Sequence, residues 1–360
     1  YRLGFDIGGT FTDLIIMDEV SGDVHREKVP TTPEEFSKGV VKGIKQLCNK
    51  ADIVPSDVSH LSHGTTIATN ALIERNGAET GLLATSGFRD VLAIGREKRA
   101  DIYDLSPKKP PSFAKRRHRY GVPERIAADG QIIKPLDEEA VVEAVHNLES
   151  DDVESVAVSF LHAYRNGSHE RKAAELVRNH SEMDVSISSN VMSEMNEYER
   201  TLSTTIDAYV SPLLAKYIDR LTGRLSSLGV EATLHLMQAN GGIITPEDIA
   251  GKRLKLVNSG PAAGVLGAKH LASAGGHDDV ITLDMGGTST DTCVVREASV
   301  ETTTSGDIEG IPLLFPQIDV RSIGTGGGSI ARMDQTGILK VGPQSAGANP
   351  GPACYGQGGE

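Results

Sequence analysis

The sequence predicts an α/β fold. Stretches that alternate like strands are followed by stretches whose apolar residues recur at helical spacing, as at Phe36, Val40 and Ile44. One eight-residue frame, Asp-x-Gly-Gly-Thr-x-Thr-Asp, also occurs twice, starting at Asp6 and at Asp284. Each copy begins at the end of a predicted strand, so the chain is expected to contain two similar strand–turn–strand units.

The individual elements follow from periodicity, turn residues and caps. Predicted strands cover 2–17 on either side of the first Gly-Gly-Thr turn, a short segment before residue 65, and 80–84, 153–160, 185–188, 231–238 and 280–285. Predicted helices cover 33–50, a segment from about residue 67, 137–148 with Asp137 as its cap, 169–179, 196–228 with a break near Pro212, and 258–272. Strands that alternate with helices favour an α/β architecture.

Composition narrows the class of protein. The chain has 360 residues, which suggests about two domains, and a formal charge of −13, which argues against nucleic acid or an anionic membrane as the main partner. We find neither an apolar run long enough to span a membrane nor a signal peptide. The three cysteines have no metal or disulfide spacing, so we expect free thiols and a cytoplasmic location.

The repeated frame has a chemical meaning. A Gly-Gly-Thr turn after a strand lets a ligand approach the backbone amides closely, and such amides hold phosphate oxygens. An aspartate at the strand end suits Mg²⁺, which prefers one or two carboxylates together with phosphate and water. One copy alone is equally typical of an ordinary hairpin. Two copies predict a cleft in which ATP with Mg²⁺ lies between two lobes, and no P-loop motif competes with this interpretation.

The repeated frame resembles the two phosphate loops of the actin-like ATPase superfamily, which includes sugar kinases, large heat-shock chaperones and actin. In that superfamily a connecting helix of small residues precedes the second loop, and SGPAAGVLGA at 259–268 has this place and composition. Small residues also suit close helix packing, so both interpretations stay open for this segment. The resemblance implies a two-lobed, ribonuclease-H-like α/β fold.

Longer motifs narrow the resemblance to the hydantoinase/oxoprolinase A family. They include LGFDIGGTFTD, LSHGTTIATNALIERNG, NEYERTLSTTIDAYVSP, LVNSGPAAGVLGA, ITLDMGGTSTD and PGPACYG. The family contains A subunits of ATP-dependent N-methylhydantoinase, halves of 5-oxoprolinase, and subunits of acetone and acetophenone carboxylases. The resemblance implies ATP-dependent hydrolysis of a small cyclic amide through phosphorylation of its carbonyl oxygen, beside a B subunit.

The resemblance also implies a division of the chain. We expect region 1–185 to carry the first phosphate loop, and region 190–360 to carry the connecting helix and the second loop. Chains of this family usually run for a few hundred residues beyond the PGPACYG motif. The nucleotide lobe is therefore expected to continue beyond Glu360.

Roles are assigned by matching the motifs. We expect Asp6 and Asp284 to act in catalysis by positioning Mg²⁺ or water, and Asp13 and Asp291 to face the metal or to brace their hairpins. The residues expected to hold the nucleotide are Gly8, Gly9, Thr10 and Thr12 in the first copy, Gly286, Gly287 and Thr288 in the second, and Gly326, Gly327 and Gly328 in the later segment GTGGGSIA. That later segment is also typical of a structural turn.

Three further motifs have two interpretations each. His63 in HGTTIATN is a candidate acid or base on the substrate side, or a hydrogen-bonded part of the cleft floor. Glu197 and Arg200 in NEYER could contact substrate or a partner, but salt bridges on a helix face are favoured. Residues 89–130 are expected to be rich in loops, and their basic segment 106–120 is expected to be a solvated surface loop rather than an anion site.

Alternative functions remain from the sequence alone. A ketone carboxylase subunit is the main alternative within the family. A sugar kinase is possible outside it, although HGTTIATN lacks the catalytic aspartate that such kinases usually carry between the loops. An ATP-driven switch that activates a partner enzyme is the non-catalytic alternative.

Overall fold

The computed structural model describes residues 1–9, 11–32, 35–96, 111–287, 289–308, 310–334, 337–347, 350–356 and 358–359, without the side chain of Pro343. The helices are α1 (Phe36–Ala51), α2 (Ile67–Glu74), α3 (Val91–Ile94), α4 (Glu138–Ser150), α5 (Ser168–His180), α6 (Ser188–Val191), α7 (Glu197–Leu228) and α8 (Ser259–Ala274). Short 3₁₀ turns lie at Pro55–Asp57, Arg253–Leu256 and Ala353–Tyr355.

Strands and helices alternate over much of the first 285 residues, as predicted, and after α8 the described residues form only strands, loops and one short 3₁₀ turn. The strands are β1 (Arg2–Ile7), β2 (Phe11–Met17), β3 (Val24–Pro30), β4 (His60–Thr65), β5 (Thr80–Thr85), β6 (Ala114–Val122), β7 (Arg125–Ile126), β8 (Ile132–Lys134), β9 (Ser155–Ser159), β10 (Asp184–Ile187), β11 (Leu234–Met237), β12 (Ile243–Ile244), β13 (Val280–Met285), β14 (Thr290–Arg296), β15 (Ser299–Val300), β16 (Thr302–Thr303), β17 (Gly306–Ile308), β18 (Ile311–Leu313), β19 (Gln317–Ile318), β20 (Arg321–Ile323), β21 (Ser329–Met333) and β22 (Leu339–Ser345).

The first lobe is built on a six-stranded sheet with the order β12-β11-β4-β1-β2-β3. β1, β2 and β3 form an antiparallel meander, and β4 and β11 then add in parallel on the other side of β1. Leu3, Phe5 and Ile7 of β1 face a core that α1 and α7 share. Because β11 and β12 complete a sheet that begins at residue 2, both predicted sequence regions contribute to this lobe. The division at 185 and 190 stays a prediction.

A second sheet, β10-β9-β5-β6, is parallel throughout. Its two central strands, β5 and β9, are buried on both faces, as parallel strands between helices usually are. Its core includes Val156, Val158 and residues of α4 and α5. α7 lies between this sheet and the first one, and twelve consecutive residues from Arg200 to Ser211 are buried. The helix continues through Pro212, where a break had been predicted.

The loop prediction for residues 89–130 is wrong in part. α3, β6 and β7 lie in this span, and β6 joins the edge of the parallel sheet beside β5. His118 and Arg119, which were expected on a solvated loop, are buried there. Tertiary packing overrides the charged pattern, because Glu79 and Asp151 approach the imidazole of His118 at 3.1 and 3.2 Å. Residues 97–110 of the basic segment lie outside the described residues.

The second lobe contains the other copy of the repeated unit. β13 and β14 form an antiparallel hairpin, and β14 also pairs with β15 and with β20. α8 begins beside the end of β4 and packs against β13 and β14. Its Ala262 and Val265 are buried beside Cys293 and Val295. In the part of the chain that the structure describes, no helix is long and apolar enough to cross a membrane. Cys48, Cys293 and Cys354 are free, as predicted.

Candidate functional site

The two copies of the repeated frame form hairpins of the same geometry. Asp6 pairs with Asp13 across the first hairpin, and Asp284 pairs with Asp291 across the second. The turns also close in the same way. The amide of Gly8 donates to the oxygen of Phe11 at 3.0 Å, and the amide of Gly286 donates to the oxygen of Ser289 at 2.9 Å. The repeat in sequence is therefore a repeat in structure, although these two amides already serve the turns.

α8 brings the two hairpins to one cleft. At its first turn, the hydroxyl of Ser259 donates to the carbonyl of Thr65 and accepts from the amide of Thr65, at 3.1 and 3.2 Å. Gly260 then faces Asp6, and Gly264, one turn later, faces Asp284. A glycine face of α8 therefore runs between the two leading aspartates, which supports the connecting-helix interpretation of this segment.

Asp6 lies at the floor of this cleft, and two glycines make room for it. A Cβ added at Gly64 would lie 2.7 Å from Oδ1 of Asp6, and one added at Gly260 would lie 3.1 Å from the same atom. The side chain is exposed to the cleft, and Gly64 and Gly260 approach its carboxylate. This partial loss of solvation, with the like charges of Asp13 and Asp284, raises the pKa of Asp6 to about 6. Such a carboxylate favours a nearby cation.

The other three aspartates have different surroundings. Asp13 forms an ion pair with Lys28 at 2.9 Å. Asp291 accepts a hydrogen bond from the hydroxyl of Ser322, while burial and the charge of Asp284 raise its pKa. Asp284 lines the same cavity as Asp6 and Asp13. The structure thus places three of the predicted metal-facing aspartates in one cavity and ties Asp291 to the side of the second hairpin.

The carboxylates of the cavity suit a Mg²⁺ ion that phosphate also ligates better than a metal ion that only protein side chains surround. Among the described residues, no three His, Cys, Asp or Glu side chains are close enough to enclose an ion by themselves. Mg²⁺ needs only one or two carboxylates when phosphate and water supply the remaining ligands. The negative charge of Asp6, Asp13 and Asp284 and the glycine-lined space beside Asp6 suit that arrangement.

The second threonine of each frame supports its loop from behind. Thr12 is fully buried, and its hydroxyl lies 3.2 Å from that of Thr31, which donates to the carbonyl of Gly8 at 2.9 Å. Thr290, at the equivalent position, donates to the carbonyl of Thr325 at 2.6 Å. This geometry fits a bracing role for Thr12 better than the direct nucleotide contact expected from the sequence.

The remaining predicted nucleotide contacts lie at the loop tips or next to them. Gly9 is exposed at the tip of the first turn, and Thr10 and Thr288 lie outside the described residues. The later glycine segment packs directly on the second loop: the amide of Gly327 donates to Gly286 at 2.9 Å, and that of Gly328 donates to Gly287 at 2.7 Å. The amide of Gly326, at the start of this turn, donates to the hydroxyl of Ser329 at 2.8 Å. The segment is therefore part of the site and supports the loop.

His63 belongs to the floor of the cleft. It is 1% exposed, its ring stacks on Phe5, and its Nε2 accepts from the hydroxyl of Tyr217 at 2.7 Å, while Nδ1 lies 3.3 Å from the carbonyl of Phe5. Burial lowers the pKa of His63 to about 3. The ring is thus neutral and has hydrogen-bond partners at both nitrogens. The structure favours the second interpretation given above, in which His63 holds the floor and does not exchange protons at neutral pH.

The cavity between the hairpins has a volume of about 860 Å³. Its lining combines the acidic cluster with a basic rim on β3 and with the glycine face of α8, and it includes Asp6, Asp13, Asp284, Arg26, Lys28, Lys50, Gly64, Gly260, Gly264 and Met237. This volume lies in the usual range for small-molecule and cofactor sites.

Sequence reasoning missed several residues of this site. Gly64 and Gly260 were inside quoted motifs, but only the structure shows that both approach Asp6. Lys28 gave no signal, because β3 reads as a polar edge strand, and Tyr217 sits on the buried face of a long helix, 154 residues from His63. Contacts between residues so far apart in the chain leave no recognisable pattern in the local sequence.

Comparison with known proteins agrees with this architecture. Residues 2–181 match the hydantoinase/oxoprolinase N-terminal region, and residues 200–360 match the hydantoinase/oxoprolinase region that follows it. The α subunit of caprolactamase from Pseudomonas jessenii is 38% identical over 100% of this chain and 52% of its own length. The 5-oxoprolinase 1 of Arabidopsis thaliana is 32% identical over 100% of this chain and 30% of its own length.

Solved structures give the same picture. The crystal structure of the ATP-dependent caprolactamase from Pseudomonas jessenii superposes with a TM-score of 0.86 and 37% identity, over 100% of this chain and 53% of that one. Nucleotide-free acetone carboxylase superposes with a TM-score of 0.84 and 26% identity, over 96% of this chain and 51% of that one. The chain therefore spans about half the length of these proteins.

These matches confirm the predicted fold and the predicted family. The fold is the α/β, two-lobed actin-like ATPase fold, with one Asp-x-Gly-Gly-Thr hairpin in each lobe. The family matches leave unmatched only residue 1 and residues 182–199, which hold β10, α6 and the start of α7. The chain belongs to the hydantoinase/oxoprolinase family.

Proposed function

We propose that this chain is the ATP-using part of an enzyme that hydrolyses a small cyclic amide, such as a lactam, a hydantoin or 5-oxoproline. The observation that carries the proposal is the pair of hairpins of equal register, whose leading aspartates, Asp6 and Asp284, line one cavity. The similarity to proteins named caprolactamase and 5-oxoprolinase supports this class of substrate.

The chemistry of the substrate explains why ATP is needed. An unstrained amide is a poor electrophile. Transfer of the γ-phosphoryl group of ATP to its oxygen opens the carbon to attack by water. The ring C–N bond then breaks with a proton going to the nitrogen, and a second water hydrolyses the resulting acyl phosphate to the ring-opened acid and phosphate. Enzymes catalyse such transfers mainly by positioning the reactants and neutralising charge. A rigid cleft with fixed glycine turns and fixed carboxylates supports that kind of catalysis.

Each residue then has a proposed role. Asp6 and Asp284 hold Mg²⁺ or a water molecule from opposite lobes, and Asp13, paired with Lys28, completes the acidic floor. Gly8, Gly9, Gly286 and Gly287 shape the turns in which phosphate oxygens lie. Thr12 and Asp291 brace the hairpins, as do Gly326, Gly327 and Gly328 for the second loop, and His63 positions the strand that carries Asp6.

Mg²⁺ supplies charge neutralisation for the phosphates when it is bound. We also propose that the enzyme works in the cytoplasm with a B-type subunit, since the related caprolactamase chain is itself named as a subunit.

A second function is a subunit of an ATP-dependent ketone carboxylase. The observation that favours it is the structural similarity to acetone carboxylase over 96% of this chain. Both functions use the same phosphoryl-transfer step, in one case on an amide and in the other on an enolate and bicarbonate. They differ in the molecule that accepts the phosphoryl group.

The test is release of phosphate from ATP and Mg²⁺ by the natural polypeptide together with its B-type partner. The panel contains 5-oxoproline, hydantoin, N-methylhydantoin, caprolactam and acetone, each with and without bicarbonate. We expect one cyclic amide to stimulate phosphate release and to yield its ring-opened product. Stimulation only by a ketone with bicarbonate would establish the carboxylase, and constant hydrolysis without any dependence on these compounds would indicate an ATP-driven switch.

A further inference from the structure

The carboxyl edge of the parallel sheet β10-β9-β5-β6 holds a second polar cluster, separate from the nucleotide cleft. The loops after β5, β6, β9 and β10 and the first turn of α7 meet at this edge. The buried polar residues there are Thr85, Glu124, Ser159, His169, Glu170, Ser188, Arg200 and Thr201. None of them lines the 860 Å³ cavity. In α/β sheets, ligands bind preferentially beyond the carboxyl ends of the strands.

Arg200 is the unusual member of this cluster. It is 2% exposed, and its Nη2 donates to the carbonyl of Phe160 at 2.7 Å. Its Nε and Nη1 atoms have no hydrogen-bond acceptor, and no carboxylate of the described residues forms an ion pair with it. This contradicts the salt bridge on a helix face that the sequence favoured for Arg200; its neighbour Glu199 does form one, with Arg96 at 2.7 Å.

The two buried carboxylates of the cluster, Glu170 and Glu124, already accept hydrogen bonds from other residues. Glu170 accepts from the amide of Phe160 at 2.9 Å, from the hydroxyl of Ser188 at 2.5 Å and from the amide of Ser189 at 2.8 Å. Glu124 accepts from the hydroxyl of Thr85 and lies 2.7 Å from Nδ1 of His169. The charges of Glu170 and Glu197 act on Arg200 without touching it. The N–H groups of its Nε and Nη1 therefore have no acceptor within the cluster, and buried donors without acceptors cost free energy.

We propose that Arg200 anchors a binding site for a small oxyanion, a carboxylate or a phosphate, at this edge of the sheet. A guanidinium presents several donors in a plane and matches the geometry of either group. The hydroxyl groups of Ser168 and Ser189, which flank Glu170, are also buried without a partner.

The outer wall of the site is the loop between β9 and α5. The ring centroid of Tyr164 lies 5.6 Å from the guanidinium carbon, and Tyr164 and His162 are only half-buried. His162 has a φ of 58°, which a residue with a side chain rarely adopts. Since this loop is the partly exposed side of the cluster, a small anion enters there.

The test compares thermal unfolding of the full chain in sodium chloride, sodium acetate and sodium phosphate at equal ionic strength. A ligand that binds only the folded state raises Tm, and at saturating anion we expect a rise of about 2–5 °C in the wild type over chloride. In Arg200→Met the rise in acetate disappears, and the rise in phosphate falls to the part that the nucleotide cleft and the general stabilising effect of phosphate supply.

Arg119→Met is the matched control. Arg119 is also buried, at 5% exposed, but it has a partner: its Nε donates to Ala114 and its Nη1 lies 3.8 Å from Asp90. We expect this variant to lose stability in chloride and to keep the response to oxyanions. Response to acetate alone would identify a carboxylate site, and response to phosphate alone a phosphate site.

Arg200→Lys keeps the test valid if Arg200→Met does not fold. It retains the charge but loses the planar donors, so we expect a smaller Tm rise than in the wild type. Two results would overturn the proposal: a wild type whose Tm is the same in all three salts, or an oxyanion response that is equal in the wild type and in the foldable Arg200 variant.

Discussion

At the scale of single residues, loss of solvation raises the pKa of Asp6 and lowers that of His63, although both lie at the floor of the cleft. Asp6 is drawn toward its protonated form, since loss of solvation and the charges of Asp13 and Asp284 raise its pKa to about 6. His63 is drawn toward its neutral form, with a pKa of about 3. The aspartate can still gain a cation from the cleft, whereas the histidine is enclosed by Phe5 and Tyr217. Only Asp6 is therefore poised to act at neutral pH.

Asp6→Asn is expected to lose activity and to gain stability. Turnover of ATP should fall by roughly 10²–10³, as when one preorganised electrostatic contact is removed. Folding raises the pKa of Asp6 to about 6, so at higher pH the buried charge destabilises the folded state in full. The destabilisation shrinks as pH falls from about 6 to the unfolded pKa of about 4, below which the carboxyl is protonated in both states. Tm of Asp6→Asn should thus exceed that of the wild type at pH 8, with no excess at pH 4.

Asp307→Asn serves as the control for this comparison, because Asp307 lies on β17 and does not line the cleft. It should leave turnover at the wild-type level. Mg²⁺ should raise the Tm of the wild type and not that of Asp6→Asn. Wild-type turnover in Asp6→Asn would remove Asp6 from the proposed mechanism.

His63→Phe tests the role of the buried ring. The variant leaves the hydroxyl of Tyr217 without its acceptor, which should cost about 1–3 kcal/mol in the free energy of unfolding. Its pH profile of turnover should match that of the wild type. Tyr217→Phe removes the same hydrogen bond by deleting its donor, and should cost less in the free energy of unfolding. It leaves the acceptor Nε2 of His63 unpaired, which is less unfavourable than a buried hydroxyl without an acceptor. A new pH dependence, or a loss of 10² or more in kcat, would return His63 to the acid–base role.

At the scale of elements, α8 sets the distance between the lobes through its glycines. Gly260→Ala should lower turnover at least tenfold, because its Cβ would lie 3.1 Å from Oδ1 of Asp6 and would move that carboxylate. Gly267→Ala, on the same helix, would meet no atom within 4 Å. It should keep activity and gain about 0.5–1 kcal/mol from helix propensity. Equal turnover in both variants would show that α8 does not position Asp6.

Elements with a strong local pattern were predictable from the sequence. The two hairpins, the cap of α4 by Asp137 and the glycine-opened α8 each follow from residues within a few positions of one another. β6 was missed, since AKRRHRYGV reads as a polar loop until β5 and the side chains of Glu79 and Asp151 are placed beside it. The site shows the same limit: the aspartates were visible as a repeat, but the approach of Gly64 and Gly260 to Asp6 depends on β4 and α8 meeting.

At the scale of the whole molecule, the two copies of the repeat have unequal surroundings. Leu3, Phe5 and Ile7 of β1 are 2%, 4% and 0% exposed. The equivalent side chains of β13, counted from the leading aspartates, are Ile281, Leu283 and Met285, and they are 73%, 67% and 60% exposed. β1 pairs with β4 along its other edge, while β13 has no second neighbour among the described residues. An apolar surface of this kind marks a contact with other polypeptide, and since the chain spans about half the length of its relatives, that polypeptide can be a further part of the same protein.

This difference predicts opposite effects of the same substitution at equivalent positions. Phe5→Ala should cost about 3–5 kcal/mol in the free energy of unfolding, as for an aromatic side chain removed from a packed core. Leu283→Ala should cost less than about 1 kcal/mol in the 360-residue chain and should reduce binding of a hydrophobic dye, since it removes exposed apolar surface. Urea unfolding and dye fluorescence measure both quantities. A large cost at Leu283 would mean that another protein surface, such as a second copy of the chain, already covers β13 in solution, and the dependence of that cost on protein concentration would identify it.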